Sequence, residues 1–281
     1  LAPDLNLVNG GADGLAVHLA GLGKRFPGAA TPVFSGINLA IKPGEAVAII
    51  GANGTGKSTL LRSLNALTPI DEGRITVLGE PVNGAQAGRL RALRARIGFV
   101  FQKHFLVSRL CALSNVIHGS QSRSGGIRSW TQWLATAQAR SEALACLAKV
   151  DLADRAMQRV DSLSGGQSQR VAIARMLMQK PELVLADEPA ASLDPKAGME
   201  IMELLFNLSR EAGRTLVFVS HDMEHAIRFS DRIIGLAEGK VSLDIPASAA
   251  RVSELTAFFT PKDEKREAAA ATRSISGMAA A

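Results

Sequence analysis

The run Gly51-Ala52-Asn53-Gly54-Thr55-Gly56-Lys57-Ser58-Thr59 follows the apolar stretch Ala46-Val47-Ala48-Ile49-Ile50 and precedes Leu60-Leu61-Arg62-Ser63-Leu64. An apolar strand, a glycine turn and a helix in that order are the context of a P-loop. Glycines let successive backbone N–H groups converge on one point. The helix adds its unsatisfied N-terminal donors and the positive end of its dipole, so the turn suits phosphate oxygens. In such a cradle Lys57 neutralises the terminal phosphates and Ser58 holds Mg²⁺.

The remaining chain alternates strand-like and helix-like patterns. Residues 15–22 read as a strand, Gly23-Lys24-Arg25-Phe26-Pro27-Gly28 as a turn, and 33–41 as a second extended segment closed by Pro43-Gly44. Phe26 offers an aromatic face on which an adenine base can lie. After the P-loop helix, 71–79 reads as a turn and a short strand. Residues 88–95 form a basic helical segment in which Arg89, Arg91, Arg94 and the adjoining Arg96 are expected to make a solvated face. Ile97-Gly98-Phe99-Val100-Phe101 is a buried strand that ends at Gln102, a polar side chain at the carboxyl edge of the sheet. From there to about residue 159 the period becomes helical, with Trp130 and Trp133 in the segment, so a helical insertion interrupts an α/β core.

The core resumes after Leu163-Ser164-Gly165-Gly166-Gln167, whose small residues open a helix over about 168–179 and whose start can bind a second anion. Leu183-Val184-Leu185-Ala186 is a strand ending in Asp187-Glu188. Ala191-Ser192-Leu193-Asp194-Pro195 is a turn, 197–212 an amphipathic helix, and 215–219 a buried strand ending at Ser220-His221-Asp222. Strands alternating with helices predict a mainly parallel sheet covered on both faces.

A chain of 281 residues with 47% hydrophobic content can bury a large core. Its net charge of +6 suits a nucleotide, nucleic acid or an anionic membrane surface without choosing among them. Cys111 and Cys146 lie in apolar, helical surroundings and are expected to be reduced core residues. No apolar run approaches the roughly 18 residues that cross a bilayer, and the first residues lack the order of a secretory signal. A membrane would then be reached only through a partner. Residues 1–14 and 261–281 are expected to be flexible tails around a domain at 15–260.

Together the polar strand ends are parts for splitting a phosphoanhydride. Asp187 can hold Mg²⁺ through its water shell, and Glu188, pointing to the other side, can polarise the attacking water. His221 can contact the γ-phosphate, and Gln102 the metal or the water.

In this order the motifs resemble the ATP-binding cassette ATPases of ABC transporters over about residues 15–245. The likeness rests on the P-loop, Gln102, the Leu163–Gln167 signature, the Walker B segment ending in Asp187-Glu188, Ser192-Leu193-Asp194 and His221. It implies a P-loop NTPase (RecA-like) α/β fold, with a mainly parallel core, an N-terminal antiparallel β subdomain and an α-helical subdomain at about 103–168. It also implies ATP and Mg²⁺ as ligands and a head-to-tail dimer. Ser164, Gly165 and Gly166 of one subunit would close over ATP on the P-loop of the other, with Gln167 and Asp194 in the same nucleotide-binding set. The segment from Gln102 to about Gly119, with His104, Phe105 and Leu106, would dock a cytoplasmic helix of transmembrane permease subunits, and a solute-binding protein outside the membrane would take part indirectly. The protein would lie peripherally on the cytoplasmic face of the inner membrane.

Within that family, residues 101–110, Asn115-Val116 and the tryptophan-bearing insert are similar to the phosphonate importers, while Ser168 and Ser220-His221-Asp222 depart from their pattern. An importer ATPase for another solute is the alternative. A DNA-associated cassette ATPase normally carries a long heptad coiled coil between P-loop and signature. This insert is short and without sustained heptads, so nucleic acid is not the expected partner.

Overall fold

The computed structural model describes residues 14–124, 133 and 135–259. In chain order it begins with β1 (Val17–Lys24), β2 (Phe34–Ile41) and β3 (Ala46–Ile50), from which the glycine turn leads into α1 (Lys57–Leu64). β4 (Glu72–Val77) and β5 (Glu80–Pro81) follow, then α2 (Ala87–Arg96) and β6 (Ile97–Val100). Helices α3 (Ala112–Ile117), α4 (Gln121–Ser124) and α5 (Ala137–Ala148) precede α6 (Gly165–Met178), which leads to β7 (Leu183–Asp187). Next come α7 (Pro195–Glu211), β8 (Thr215–Val219), α8 (Met223–Arg228), β9 (Arg232–Ala237), β10 (Lys240–Pro246) and α9 (Val252–Phe259).

Strands β2-β1-β4-β5 make an antiparallel sheet, and β10-β9-β3-β8-β7-β6 make a second sheet that is parallel except for the β9–β10 pair. Successive side chains on a strand point to opposite faces, and both faces of the second sheet are covered. Val47 and Ile49, Leu183 and Leu185, and Val217 and Val219 pack with the antiparallel sheet and with Leu60, Leu61 and Leu64 of α1. Their neighbours Ala48, Ile50, Val184, Ala186, Leu216 and Phe218 pack with Ile173 and Ala174 of α6 and Ile201, Met202 and Leu205 of α7. A strand buried on both sides has no solvent face to mark with polar residues, which is why β3, and β8 after Thr215, read as unbroken apolar runs.

The architecture is the one expected: a mainly parallel core, an antiparallel sheet at the amino-terminal side and helices inserted between β6 and α6. β9 and β10 carried no clear signal in the sequence. Arg232 opens β9 and Asp244 interrupts the apolar pattern of β10, and the two pair across the strands at 2.5 and 2.6 Å, while Arg232 also donates to the Ala40 carbonyl. The basic helix α2 corrects one expectation. Arg89, Arg91 and Arg94 are all exposed, yet Arg94 donates to the carbonyls of Asn65 and Ala66, and half-buried Arg96 grips Glu182 with two bonds of 2.6 and 2.9 Å. Half of the presumed solvated face is structural. Cys111 and Cys146 form no disulfide with each other and are half-buried at the edge of the core. Trp133 is exposed, whereas Trp130 and both expected tails, Gly14 apart, lie outside the described residues.

Helix α6, which starts at the signature, is seated close against the turn at His118–Ser120. A Cβ on Gly119 would stand 2.1 Å from the Arg175 carbonyl oxygen and 3.0 Å from the Met178 Cβ. Gly119→Ala should therefore destabilise the protein by about 1–3 kcal/mol through overpacking. A lower urea midpoint at unchanged slope is the expected result.

Candidate active site

The parallel register decides where the polar residues meet. Ile49 pairs with Val219 and Val219 with Asp187, so β3, β8 and β7 end level. The glycine turn, His221 and Glu188 leave the sheet along one edge, and β6, with Val100 opposite Ala186, delivers Gln102 to the same edge.

Gly51, Gly54 and Gly56 have φ of 151°, 79° and 94°. These are backbone positions that side-chain-bearing residues rarely adopt. A Cβ on Gly51 would lie 2.3 Å from the Leu236 carbonyl oxygen, and one on Gly56 2.7 Å from Val33 Cγ1, so the turn fits its neighbours only without side chains there. The Thr55 hydroxyl closes the turn by donating to the Ala52 carbonyl at 2.9 Å, leaving Asn53 and Gly54 exposed at the tip. Gly56 caps α1, whose first N–H groups have no intrahelical acceptor and are available to an anion. Lys57 is buried and donates to the carbonyls of Gly51 and Ala52 at 2.8 and 2.9 Å. Burial pushes its pKa below the usual lysine range, and the carboxylates of Glu188 and Asp187 oppose that shift. Thr59 is half-buried, and its carbonyl accepts from the Ser63 hydroxyl.

The two acidic residues at the end of β7 face different ways. Asp187 is buried and accepts from the Ser58 hydroxyl at 2.6 Å and from Arg62 Nη2 at 3.1 Å, both on α1. Sequence reading missed Arg62, although it lies four residues after Ser58 and so on the same helix face. Glu188 has a φ of 51°, a left-handed conformation that costs a non-glycine residue on the order of 1–3 kcal/mol. Its Oε1 lies 2.5 Å from His221 Nε2. A hydroxyl and a carboxylate in contact form an oxygen donor set suited to a hard cation, while the carboxylate–imidazole pair is suited to handling a proton.

Gln102 is exposed at the edge, and none of the hydrogen bonds among the described residues joins it to Glu188 or His221. The loop after it is held by Arg175 of α6, which donates to the His104 and Phe105 carbonyls at 2.8 and 2.7 Å. Burial holds Arg175 below its usual pKa, and burial together with the Arg175 charge does the same to His104. Arg175 had no local signal, because its partners are about 70 residues away. Phe26 is 44% exposed in the β1–β2 turn.

Ser164 caps α6 with a full capping box: its hydroxyl accepts from the Gln167 N–H, and its own N–H donates to Gln167 Oε1 at 3.0 Å. Gly165 is exposed, and a Cβ there would stand 3.4 Å from Leu193 Cδ2, so Gly165 and Gly166 lie beside the turn that ends at Asp194. Asp194 caps α7 by accepting from the Ala197 N–H. Among the described residues no hydrogen bond or ion pair joins the signature to the P-loop of the same chain. A cleft of about 220 Å³ adjoins the site, lined in part by Glu188, Leu193, Asp194, His221 and His225.

Residues 34–191 match the ABC transporter family. The chain is 45% identical over 229 residues to the phosphonates import ATP-binding protein PhnC of Frankia casuarinae, covering 82% of this chain and 89% of that protein. It is 44% identical over 227 residues to the phosphate-import ATP-binding protein PhnC of Mycolicibacterium smegmatis, covering 79% and 84%. Its fold matches the ATP-binding cassette MJ0796, solved as a dimer in a post-hydrolysis state bound to ADP and Pi, with a TM-score of 0.73 and 37% identity over 82% of this chain and 98% of that one.

Lys57→Ala removes the one ammonium held inside the turn. Nucleotide affinity measured by fluorescent-nucleotide titration should fall at least about 10-fold, as expected for the loss of charge-assisted hydrogen bonds, while the circular dichroism spectrum stays that of the parent.

Proposed function

The chain belongs to the ABC transporter family, and from that premise we propose that it is the ATP-hydrolysing subunit of an importer for a phosphonate or a closely related phosphorus oxyanion. The observation that carries the catalytic reading is the 2.5 Å contact between Glu188 and His221 on the same sheet edge as Lys57 and Ser58. The P-loop amides, the N-terminus of α1 and Lys57 bind the phosphate chain. Phe26 receives the adenine. The Glu188 carboxylate accepts a proton from the attacking water, and His221 holds that carboxylate in place. Gln102 contacts the water or the metal. Ser58 directly and Asp187 through water would hold Mg²⁺, which neutralises charge on the β- and γ-phosphates when bound. The Ser58–Asp187 contact supports that pairing.

The exposed, capped start of α6 supports a head-to-tail dimer in which Ser164, Gly165 and Gly166 meet nucleotide on the partner's P-loop, with Gln167 and Asp194 bracing that face. A phosphate chain is then gripped by two helix N-termini at once. ATP binding closes the pair and hydrolysis reopens it, driving the membrane partner between access states.

The contact with that partner is best supplied by a groove of about 500 Å³ between α2, β6 and α6. Leu90, Phe99 and Met176 contribute apolar surface, Arg91, Arg94 and Arg175 contribute charge, and among the described residues no carboxylate lines it. With exposed Phe105 and Val107 nearby in the chain, it suits an amphipathic cytoplasmic helix of a permease on the inner face of the membrane. No helix among the described residues is long and apolar enough to cross a membrane. The Mycolicibacterium relative favours inorganic phosphate as a second reading of the solute.

Glu188→Gln should retain ATP binding, accumulate an ATP-bound dimer and lower turnover by about 100-fold or more. Unchanged steady-state hydrolysis would remove Glu188 from the base role. Arg91→Glu should weaken co-purification with the membrane subunits while leaving nucleotide affinity intact. Uptake of a labelled phosphonate, competed by unlabelled phosphonate but not by phosphate, decides between the two solutes.

A further inference from the structure

The β1–β2 turn that carries Phe26 is held by a residue with no role so far. Asp71, just before β4, accepts from the Lys24 ammonium at 3.0 Å and from the Arg25 backbone N–H at 2.7 Å, while its own N–H donates to the Gly23 carbonyl at 3.0 Å. Antiparallel pairing of β1 with β4, with Gly23 opposite Glu72, brings it there from 46 residues away. The Arg25 amide, and then Lys24, hold the Asp71 carboxyl below the usual carboxylate range, so the clamp is charged at neutral pH.

The clamp fixes the surroundings of the ring. Lys24 is buried, and its ammonium sits over the Phe26 ring, 5.5 Å from the centroid. One face is thus covered by a cation held by the ring quadrupole, while Phe26 as a whole stays 44% exposed and so open to a ligand. The far end of the turn is also seated. Val33 donates to the Lys24 carbonyl at 2.7 Å, and its side chain lies against Gly56 of the P-loop. The turn is therefore tied to β4 at one end and to the phosphate cradle at the other.

We propose that Asp71 is a positioning residue for nucleotide-base recognition: it locks Lys24 and the Arg25 amide so that Phe26 presents one fixed face at a set distance from the P-loop. This rests on the reading of Phe26 as the adenine platform. The Asp71 carboxylate bonds to Lys24 and to the Arg25 amide and to no P-loop residue, so its loss should fall on base recognition more than on the phosphate cradle.

The test compares the full chain with Asp71→Asn, Lys24→Met, Phe26→Ala and the Phe26→Ala/Asp71→Asn double variant. Affinity is measured for ATP and for inorganic tripolyphosphate, each with Mg²⁺. Asp71→Asn and Lys24→Met should each weaken ATP by about 3- to 10-fold and leave tripolyphosphate unchanged. Phe26→Ala should cost ATP about 10-fold or more, the scale of one base–aromatic stack, and the double variant should lose no more than Phe26→Ala alone. An equal loss for both ligands in Asp71→Asn would make Asp71 merely structural and overturn the proposal. So would unchanged ATP affinity in Asp71→Asn beside a loss in Phe26→Ala. Unchanged ATP affinity in Phe26→Ala would instead overturn the adenine-platform reading.

Discussion

Parallel pairing of β3, β8 and β7 is the constraint on which the site depends. Opposing Ile49 to Val219 and Val219 to Asp187 makes three strands stop at one level, so the turns that leave them share one edge. A one-residue slip would turn every side chain of a strand to the other face. Apolar residues on both faces of these strands resist that slip, because alternate positions belong to two different cores. The core thus places the chemistry.

At that edge, charge is arranged in opposed pairs. Lys57 is desolvated, which disfavours its ammonium, and Asp187 and Glu188 restore part of the balance. Arg62 and Ser58 claim Asp187, and His221 claims Glu188, so neighbouring carboxylates with the same intrinsic chemistry acquire separate partners. The left-handed backbone at Glu188 belongs with this division: the chain leaves the extended conformation of β7 at the residue whose side chain meets His221.

The rest of the molecule is connected to this edge by close contacts. α6 runs from the signature to the seat at Gly119, and its Arg175 fixes the loop after Gln102 and lines the groove beside α2, so one helix joins the signature to that groove. The antiparallel sheet reaches the site through Val33 against Gly56. The signature, the glycine turn and the loop after Gln102 are thereby joined to the core by packed side chains with little free volume to absorb a shift.

Much of the site was legible because its residues are local in sequence: the glycine turn with Lys57 and Ser58, the Ser164 cap, Asp187-Glu188 and His221 each sit at a strand end or helix start that short-range patterns reveal. The parallel core and the helical insertion were legible from periodicity. What could not be read was pairing at a distance. Arg96 with Glu182, Arg232 with Asp244, Arg175 with the carbonyls after Gln102 and Asp71 with Lys24 join residues 12 to 86 positions apart, and a charge in a sequence carries no mark of its partner. By itself the sequence determined the chemistry available at each strand end, since that follows from residue type and local backbone propensity. Only the tertiary structure decided which of those groups meet, because register and packing set the distances on which hydrogen bonds and ion pairs depend.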